Sequence, residues 1–351
     1  MKNFLIKDIR VWVLSIPLMA VCAVFAKAQT ALSQPVVVDS PMVHDPVMAY
    51  ENGKYYLYCT GHGVAQMTST DRQHWTLNPQ GVLKDEARGA FPAWTHDSVP
   101  GYESHTWAPD VIRYKDKWYM AYSCSTFGKN TSAIGLLSNS SLADTDGWKD
   151  EGCLISSKGG RDNWNAIDPN FVIDEKGKPW LTWGSFWDGI QLIPLDKKTM
   201  HGKKGAKPQT IARRYALDQI DVPTNPTSRD AGTNAIEAPF IMKHGGYYYL
   251  FVSWDYCCQG MKSTYRVAVG RSRKVAGPYL DKEGKDMRNG GGTLLLEGDK
   301  KEYEAMGHCS AYSFPDGDFF FCHGYSVPKN GASILVQKKI NWTEDGWLTL
   351  E

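Results

Sequence analysis

Residues 234–251 read NAIEAPFIMKHGGYYYLF, two apolar segments around a Gly-Gly turn with one early carboxylate, Glu237. An apolar strand, a polar turn containing Gly or Asp and an aromatic strand are the pattern of a β-hairpin. Four other stretches follow the same pattern: HDPVMAYENGKYYLY (44–58), WAPDVIRYKDKWYMAY (107–122), IDPNFVIDEKGKPWLTW (167–183) and GHCSAYSFPDGDFFF (307–321). The chain therefore uses one structural unit five times.

The spacing of the hairpins predicts how the units are arranged. The prolines at the strand starts, Pro46, Pro109, Pro169 and Pro239, are separated by 63, 60 and 70 residues. Five such units predict an all-β, five-bladed β-propeller with four strands per blade around a central channel. Residues 133–152 and 265–281 each read as a further strand, loop and strand. No long amphipathic helix interrupts the pattern, and residues 29–351 are predicted to form a single domain.

Composition excludes some classes of function. The formal net charge of the 351 residues is +1, so no basic excess indicates nucleic acid as a partner. Thirteen Trp and eighteen Tyr fit a β-rich core, because aromatic residues favour strands. The same residues also suit stacking on the flat apolar face of a sugar, and both uses are compatible.

The N-terminus has the pattern of an export signal. Three basic residues precede an apolar run at 11–26, and Ala-Lys-Ala follows at 26–28. We therefore predict that residues 1–28 are a cleaved signal peptide. A membrane anchor is the alternative, but 16 residues are short for a bilayer span. Lipid modification of Cys22 is a further alternative, in which Val21 stands where a small residue is expected.

Seven cysteines remain after the signal, in spacings that fit no zinc pattern. An odd number in an exported chain leaves at least one free thiol. Most lie in apolar strand patterns, which favours small buried hydrophobic side chains. The seven are Cys59, Cys124, Cys153, Cys257, Cys258, Cys309 and Cys322.

Polar residues recur where the inner strand of each blade begins. The first strand of a propeller blade lines the channel, so these residues are expected to converge at one channel mouth and to form the active site there. Cleavage of a glycosidic bond needs one carboxylic acid and a second carboxylate, and a third can keep the pKa of the acid raised. The residues are Asp45, Asp110, Asp168, Glu237 and His308.

Each carboxylate also has a structural interpretation. Asp45 and Asp168 both precede proline and could cap a turn. Asp110 follows its proline instead, so its side chain should point differently, and we interpret it as structural. Glu237 is the hardest to explain structurally, because Glu is a poor turn former and its neighbours are apolar.

The chain resembles glycoside hydrolase family 43, and within it the 1,5-α-L-arabinanases. The resemblance implies a five-bladed β-propeller and an inverting mechanism. By this resemblance Asp45 matches the general base, Glu237 the general acid, and Asp168 the carboxylate that tunes the pKa of the acid and orients it. The segments that carry it are His44-Asp45-Pro46, TWAPDV (106–111), NAIDPNFV (165–172), WGSFWDGI (183–190), AIEAPFI (235–241) and STYRVAVGRS (263–272).

The resemblance also implies an ion, usually calcium, in the channel near the active site. His308 matches the residue that contacts it, with water supplying most other ligands. Cys309 departs from the asparagine expected beside that histidine, which puts the surroundings of the ligand in doubt. The alternative for His308 is a buried, hydrogen-bonded channel residue, since calcium prefers about six to eight oxygen ligands.

Sugar contacts follow from the same resemblance. Trp94 and Phe127 match positions that present aromatic faces to arabinose, and Asn165 and Ser185 match polar positions of the central subsite. Trp187 is expected to add a further wall. For each aromatic residue, packing within a blade is the alternative. The adjacent pair Cys257-Cys258 also matches the arabinanase pattern.

Three functions remain open at the level of sequence. The first is an exported, endo-acting 1,5-α-arabinanase, in the periplasm, secreted or at the cell surface, working as a monomer on arabinan or arabino-oligosaccharides. The second is an exo-acting arabinofuranosidase or arabinanase, or a β-xylosidase, on the same fold. The insertions at 84–105 and 199–234 would decide between an open and a closed groove. The third is a propeller that binds arabinan without cleaving it.

Overall fold

The computed structural model describes residues 36–84, 91–219 and 232–351. The predicted signal peptide, residues 1–28 with Cys22, lies outside the described residues. Within the described part of the chain no helix is long and apolar enough to span a bilayer.

The strands of the described residues form five sheets, and each sheet is one blade of a propeller. Blade 1 contains β1 (Val37–Val38), β2 (Val47–Glu51), β3 (Lys54–Cys59), β4 (Ala65–Ser69) and β5 (Trp75–Asn78). Blade 2 contains β6 (Trp107–Tyr114), β7 (Lys117–Cys124), β8 (Ser132–Asn139) and β9 (Lys149–Ser157). Blade 3 contains β10 (Asn170–Ile173), β11 (Pro179–Trp183), β12 (Ile190–Pro194) and β13 (Gln209–Ala212).

Blades 4 and 5 complete the ring. Blade 4 contains β14 (Ile236–His244), β15 (Tyr247–Trp254), β16 (Arg266–Ser272) and β17 (Thr293–Leu296). Blade 5 contains β18 (Tyr303–Phe314), β19 (Gly317–Ser326), β20 (Ala332–Trp342) and β21 (Leu348–Leu350). Helix α1 (Trp94–Ser98) and three 3₁₀ turns at Leu217–Gln219, Gly260–Lys262 and Met287–Asn289 lie in connections between strands.

The inner strands close into a ring. β2, β6, β10, β14 and β18 each contact the inner strands of the two neighbouring blades, and β18 returns to β2. From β2 onward, consecutive strands pair antiparallel from the channel outwards. The prediction of an all-β, five-bladed β-propeller is confirmed, and each of the five predicted hairpins forms the two inner strands of one blade.

The core consists of apolar layers between neighbouring blades. Each of the five main buried clusters draws side chains from two adjacent blades, as Tyr58 and Met120 do between blades 1 and 2. β8 is buried along its whole length because both faces of its sheet are covered. The blades therefore stabilise one another, and the channel end of every blade is held at a fixed place.

The segment before β2 ties blade 1 to blade 5. Met42 forms an antiparallel bridge with Ile334 of β20. The Val43 N–H donates to the Ser333 carbonyl at 3.2 Å, and the Leu335 N–H donates to the Pro41 carbonyl at 3.1 Å. One edge of blade 5 is therefore completed by the chain that leads into blade 1.

The expectation of two blade strands within 265–281 was wrong for the second of them. The fourth strand of blade 4 is β17, at Thr293–Leu296. Leu280 makes only isolated bridges, to Arg271 and Asp286. Tyr279 instead turns into the core between blades 3 and 4, where it is fully buried. Burial of this aromatic ring takes the chain out of the sheet.

Candidate active site

One residue near the mouth end of each inner strand has a positive φ angle. Residues other than Gly rarely adopt this backbone conformation. A proline follows this residue in blades 1 to 4, and Cys309 follows it in blade 5. Blades 1, 3 and 5 thus hold Asp, Asp and His at equivalent places around the channel, whereas blades 2 and 4 hold alanine. The five residues are Asp45 (58°), Ala108 (41°), Asp168 (58°), Ala238 (54°) and His308 (48°).

The backbone N–H of each of these residues is held by a side chain from the preceding blade. This contact fixes the strained backbone and gives the buried donor a partner. The donor and acceptor pairs are Asp45 to His323 Nδ1 (3.1 Å), Ala108 to Thr60 Oγ1 (2.8 Å), Asp168 to Ser123 Oγ (3.0 Å), Ala238 to Asp168 Oδ2 (3.1 Å), and His308 to Ser253 Oγ (2.8 Å).

In blade 3 the accepting side chain, Asp168, precedes the inner strand instead of lying at the end of the second strand. Gly184, which directly follows the second strand β11, has no side chain that could accept. A Cβ atom on Gly184 would lie 2.4 Å from the Gly189 carbonyl oxygen, so no larger residue fits without a backbone shift. With no side chain there, the Ala238 N–H is accepted by the Asp168 carboxylate. Asp168 is thereby fixed against the residue that follows Glu237.

Asp45 is surrounded by hydrogen-bond donors. His44 Nδ1 lies 2.9 Å and His308 Nδ1 3.0 Å from its Oδ1, and the Thr60 hydroxyl donates to Oδ2 at 2.5 Å. Burial raises the pKa of Asp45, but the positive charge of His308 and the hydrogen bonds of His308 and His44 lower it by more, well below its usual range. Asp45 is therefore held ionised.

Glu237 lies in a different environment, although it is equally buried. Its Oε2 accepts the Ser185 hydroxyl at 2.7 Å, and its Oε1 accepts the Tyr265 hydroxyl at 2.8 Å. Burial raises the pKa of Glu237 by more than these hydrogen bonds lower it, and the negative charge of Asp45 adds to the rise. The protonated form of Glu237 is therefore favoured relative to an ordinary glutamate.

Asp168 also retains its proton more readily than an ordinary aspartate. Burial and the charges of Glu237 and Asp45 raise its pKa to about 8, against the lowering effect of His308. Asp168 and Glu237 therefore hold at least one proton between them at neutral pH, while Asp45 holds none. Carboxyl groups with pKa values pushed apart in this way are suited to separate acid and base roles.

His308 carries the positive charge at this mouth. Burial lowers its pKa, but Asp45, Asp168 and Glu237 raise it by more, to about 9. A cation bound beside these carboxyl groups would favour their ionised forms and the neutral form of His308. Among the described residues, His308 is the imidazole whose pKa all three carboxyl groups raise. An ion with about six to eight ligands would therefore be held mainly by water.

A second grouping of possible ligand atoms involves His44, Asp45 and His323, within 4.8 Å of one another. His323 Nδ1 already accepts the Asp45 N–H in this grouping. Two imidazoles and one carboxylate also suit transition metals better than calcium. These residues therefore do not fit a calcium ion.

Asp110 connects two blades instead of facing the reaction site. Its Oδ2 accepts the Phe171 N–H at 2.7 Å and the Asn170 side-chain amide at 3.2 Å, both from blade 3. Asn170 repeats the contact one blade further on, where its Oδ1 accepts the Ile241 N–H at 2.8 Å. These contacts agree with the structural interpretation of Asp110.

A family model described as glycosyl hydrolases family 43 matches residues 34–348. The chain belongs to this family. It is 41% identical over 308 residues to the extracellular exo-α-(1→5)-L-arabinofuranosidase ArbA of Cellvibrio japonicus, covering 87% of this chain and 85% of that protein. It is 39% identical over 310 residues to the extracellular endo-α-(1→5)-L-arabinanase 1 of Bacillus subtilis, covering 87% of both.

A solved structure is also similar to this family 43 chain. The exo-1,5-α-L-arabinanase from a bovine ruminal metagenomic library is 52% identical, with a TM-score of 0.80 over 89% of this chain and 98% of that one. The resemblance noted from the sequence is confirmed. The chain falls within the arabinan-acting glycoside hydrolases of family 43, a group that includes both arabinanases and arabinofuranosidases.

The residues predicted to contact sugar occupy different surroundings in this family 43 propeller. Ser185 donates to Glu237, and Asn165 is buried, with its Oδ1 accepting the Ser132 hydroxyl at 2.6 Å. Trp94 is half-buried in α1 and packs on blade 2. Phe127 is 78% exposed in the loop after β7, on the mouth side. Contact between these four residues and sugar therefore stays a prediction.

Trp187 does not form an open wall at the mouth. Its side chain is 2% exposed. The neighbouring ring of Phe186 faces the exposed Tyr256 with ring centroids 5.7 Å apart. This aromatic pair, which sequence reasoning did not identify, lies in the β11–β12 and β15–β16 loops on the mouth side.

Several residues that hold the carboxylates were also missed from the sequence. Tyr265 stands within the quoted segment STYRVAVGRS, yet nothing in that segment shows that its hydroxyl reaches Glu237. Thr60 directly follows β3 and His323 lies within β19, where an apolar and aromatic pattern hides single polar residues. Their common feature is a polar side chain near the mouth end of the second strand, a signal that is visible only once the five units are aligned with one another.

Proposed function

We propose that this enzyme hydrolyses α-1,5-L-arabinofuranosidic linkages with inversion at the anomeric carbon. Asp45 is the general base, Glu237 the general acid, and Asp168 the residue that tunes and orients the acid. The observation that carries the proposal is that three buried carboxyl groups at one mouth have different partners. Two imidazoles bind Asp45 and lower its pKa, whereas burial raises the pKa values of Asp168 and Glu237.

The base must remove a proton from water as the water attacks the anomeric carbon. Asp45 is suited to this because its environment keeps it ionised. The donors His44, His308 and Thr60 also hold the carboxylate in one orientation. The proton taken from the water then resides on Asp45 until it is lost to solvent.

The acid must protonate the oxygen of the departing sugar. Glu237 is suited to this because burial and the charge of Asp45 favour its protonated form. The charge of an ionised Glu237 raises the pKa of the neighbouring Asp168, so Asp168 keeps its own proton while Glu237 gives one up. Glu237 then regains a proton from solvent for the next cycle. The hydroxyls of Ser185 and Tyr265 orient the carboxyl group.

We further propose that the mouth binds one calcium ion, with His308 as the direct protein ligand and water as the remaining ligands. The support is that three carboxyl groups face His308. Binding of the ion would release the proton from His308, because a histidine ligand is neutral. When bound, the ion would supply positive charge beside the carboxylates.

The mode of attack has two candidates. Endo attack, which the sequence analysis predicts, is supported by 39% identity with the Bacillus subtilis endo-arabinanase. Exo attack is favoured by a specific observation, since the relatives at 41% and 52% identity are described as exo-acting. For the substrate, the same relatives favour arabinan over the xylose linkage of a β-xylosidase.

We also propose that the enzyme acts outside the cytoplasm as a monomer. The predicted signal at residues 1–28 supports export, and the names of the Cellvibrio and Bacillus relatives include the word extracellular. One chain supplies every residue given a role here, which supports action as a monomer.

The experiment that tests the function uses the mature protein and linear 1,5-α-arabinan. Viscosity and released oligosaccharides are followed over time, and the anomeric form of the first product is read by NMR. Rapid viscosity loss with mixed oligomers indicates endo attack, whereas one small product with slow viscosity loss indicates exo attack. No product from arabinan, or a product with retained configuration, would overturn the proposal.

A further inference from the structure

The β15–β16 loop contains a disulfide between the adjacent residues Cys257 and Cys258. Cys258 is exposed, with a φ angle of 67°. A bond between neighbouring side chains closes a small ring that includes the peptide unit between them, so it restricts the backbone at this point. In this conformation the Cys258 N–H donates to the Tyr325 hydroxyl at 2.6 Å.

A continuous line of hydrogen bonds runs from this loop to the general base. The Tyr325 hydroxyl lies 2.9 Å from His44 Nε2, and His44 Nδ1 lies 2.9 Å from Asp45 Oδ1. The donor directions are consistent with a neutral imidazole. Cys258 donates to the oxygen of Tyr325, the Tyr325 hydroxyl donates to Nε2 of His44, and Nδ1–H of His44 donates to Asp45.

Neighbouring rings prevent His44 from turning away. The His323 ring lies against the His44 ring, with centroids 3.8 Å apart. Tyr325 meets both imidazoles edge-on, at 5.9 Å from His44 and 5.2 Å from His323. The orientation of His44, and with it one hydrogen bond of Asp45, is therefore set by Tyr325 and the loop that binds it.

We propose that Tyr325 and His44 are positioning residues for the general base. The Cys257–Cys258 disulfide acts as a clamp, meaning that it holds the Cys258 N–H where this group can bind the Tyr325 hydroxyl. The inference rests on the proposed function, because it concerns the water-activating role of Asp45. Residues that orient metal ligands through hydrogen bonds contribute about 10–100-fold, and we expect an effect of the same order for a carboxylate base held in the same way.

The loop has contacts that do not depend on the disulfide. The Thr264 N–H donates to the Tyr256 carbonyl at 2.9 Å, and the Gln259 N–H donates to the Ser263 hydroxyl at 3.1 Å. Removing the disulfide should therefore loosen Cys258 without unfolding the loop. Reduction consumes two electrons and two protons from an added dithiol, which becomes a disulfide, and gives the two cysteine thiols.

The test compares three proteins with the wild type on linear arabinan. Tyr325→Phe keeps the ring and removes the hydroxyl, and the double variant Cys257→Ser/Cys258→Ser removes the clamp. Tyr279→Phe is the matched control, since the Tyr279 hydroxyl binds the Val275 carbonyl at 2.8 Å, away from the mouth. We expect the first two to lower kcat about tenfold or more, with KM changed far less, and the control to keep the wild-type kcat.

Two further measurements separate positioning from a general structural effect. A dithiol should lower the kcat of the wild type to that of the double serine variant and leave that variant unchanged. In an Asp45→Asn background, Tyr325→Phe should cause no further loss of the residual activity, because there is no carboxylate left to orient.

The outcomes distinguish failure of this inference from failure of the proposed function. Wild-type kcat in both the Tyr325 and the serine variants would overturn the inference while leaving arabinan hydrolysis in place. A full additional loss in the Asp45→Asn background would also overturn it, in favour of a structural role. A wild type that releases no product from arabinan would instead contradict the proposed function itself.

Discussion

At the scale of single residues, the three carboxyl groups of the mouth differ through their neighbours and not through their burial. Asp45 has two imidazoles within hydrogen-bond distance, whereas Glu237 has two hydroxyl groups. The Asp168 carboxyl group accepts one backbone N–H, and the charges of neighbouring carboxylates raise its pKa. The identity of the three residues could be predicted from sequence, but their protonation depends on partners from other blades.

The effect of replacing Glu237, the proposed general acid, should depend on the leaving group of the substrate. We expect Glu237→Gln to lower the rate on linear arabinan by about 10²–10⁴-fold, because the departing sugar then leaves without a proton. On a nitrophenyl arabinofuranoside, whose leaving group needs little protonation, the loss should be much smaller. Glu344→Gln, at an exposed position, is the control. Equal losses on both substrates would assign Glu237 another role.

Asp168→Asn should change stability with pH in a defined direction. The native protein holds a proton on Asp168 up to about pH 8, whereas the unfolded chain releases it near its ordinary pKa of about 4. The native state therefore binds more protons in this window, and the free energy of unfolding contributed by this group falls as pH rises.

Asn cannot ionise, yet its amide oxygen can still accept the Ala238 N–H. The stability of Asp168→Asn relative to the wild type should therefore increase between about pH 5 and about pH 8. Denaturant titrations with a chelator present, so that only the charges of the chain contribute, would measure this. A difference that stays constant with pH would show that Asp168 titrates normally.

Removing the proposed ion should have a moderate effect. We expect a chelator to lower kcat or the melting temperature, and added calcium to restore it, because the ion offsets repulsion among the carboxylates. His308→Ala should lower activity in the same way and lose the response to calcium. If neither treatment changes the enzyme, His308 is a buried hydrogen-bonded residue and not a ligand.

At the scale of the element, the inner strand is where prediction from sequence was least accurate. The sequence analysis grouped Asp45, Asp110 and Glu237 at the starts of inner strands, and it separated Asp110 only because this residue follows its proline. In the structure Ala108 and Ala238 occupy the position of Asp45 in blades 2 and 4, so Asp110 comes two residues after it and Glu237 one residue before. Bulges in these strands shift the register locally, and hydrophobic periodicity alone does not reveal them.

Substitution of Asp110 tests whether this residue has a structural role and no role in the reaction. Its pKa is raised to about 7 by burial, and it joins blade 2 to blade 3. Asp110→Leu should lower the free energy of unfolding by about 2–4 kcal/mol, because the buried Phe171 N–H and Asn170 amide lose their acceptor. The kcat of the folded protein should remain that of the wild type, measured after correction for the folded fraction.

Asp110→Asn is the matched variant, because it retains an acceptor oxygen. It should keep most of the stability that Asp110→Leu loses. A large fall in kcat for Asp110→Asn, in a protein that melts normally, would instead place Asp110 in the reaction.

At the scale of the whole molecule, the repeat count and spacing were sufficient to predict the propeller. The interval between hairpins reports the length of a blade, and an apolar inner strand reports burial against neighbours on both sides. The way the ring closes could not be predicted. It depends on Pro41, Met42 and Val43, which follow no strand pattern but bind the third strand of blade 5.

Shortening the chain tests this closure. A chain that begins at Val43 should be less stable than one that begins at Asp39 by about 1–3 kcal/mol, because Leu335 loses the Pro41 carbonyl and the bridge at Met42 is lost. The chain from Asp39 already lacks β1, so the comparison isolates residues 39–42. Equal denaturant midpoints for the two chains would show that this segment does not secure the ring.

The two alanines at the positive-φ positions also describe how such a site can evolve. Duplication of one ancestral blade would give five equivalent positions around an axis, and later substitutions would then change the residue at each position separately. Ala108 and Ala238 occupy such positions without a functional group, whereas Asp45, Asp168 and His308 occupy the equivalent positions of the other blades. New chemistry could therefore be installed by changing one side chain at a backbone position that already faces the channel, with no new loop and no rearrangement of the scaffold.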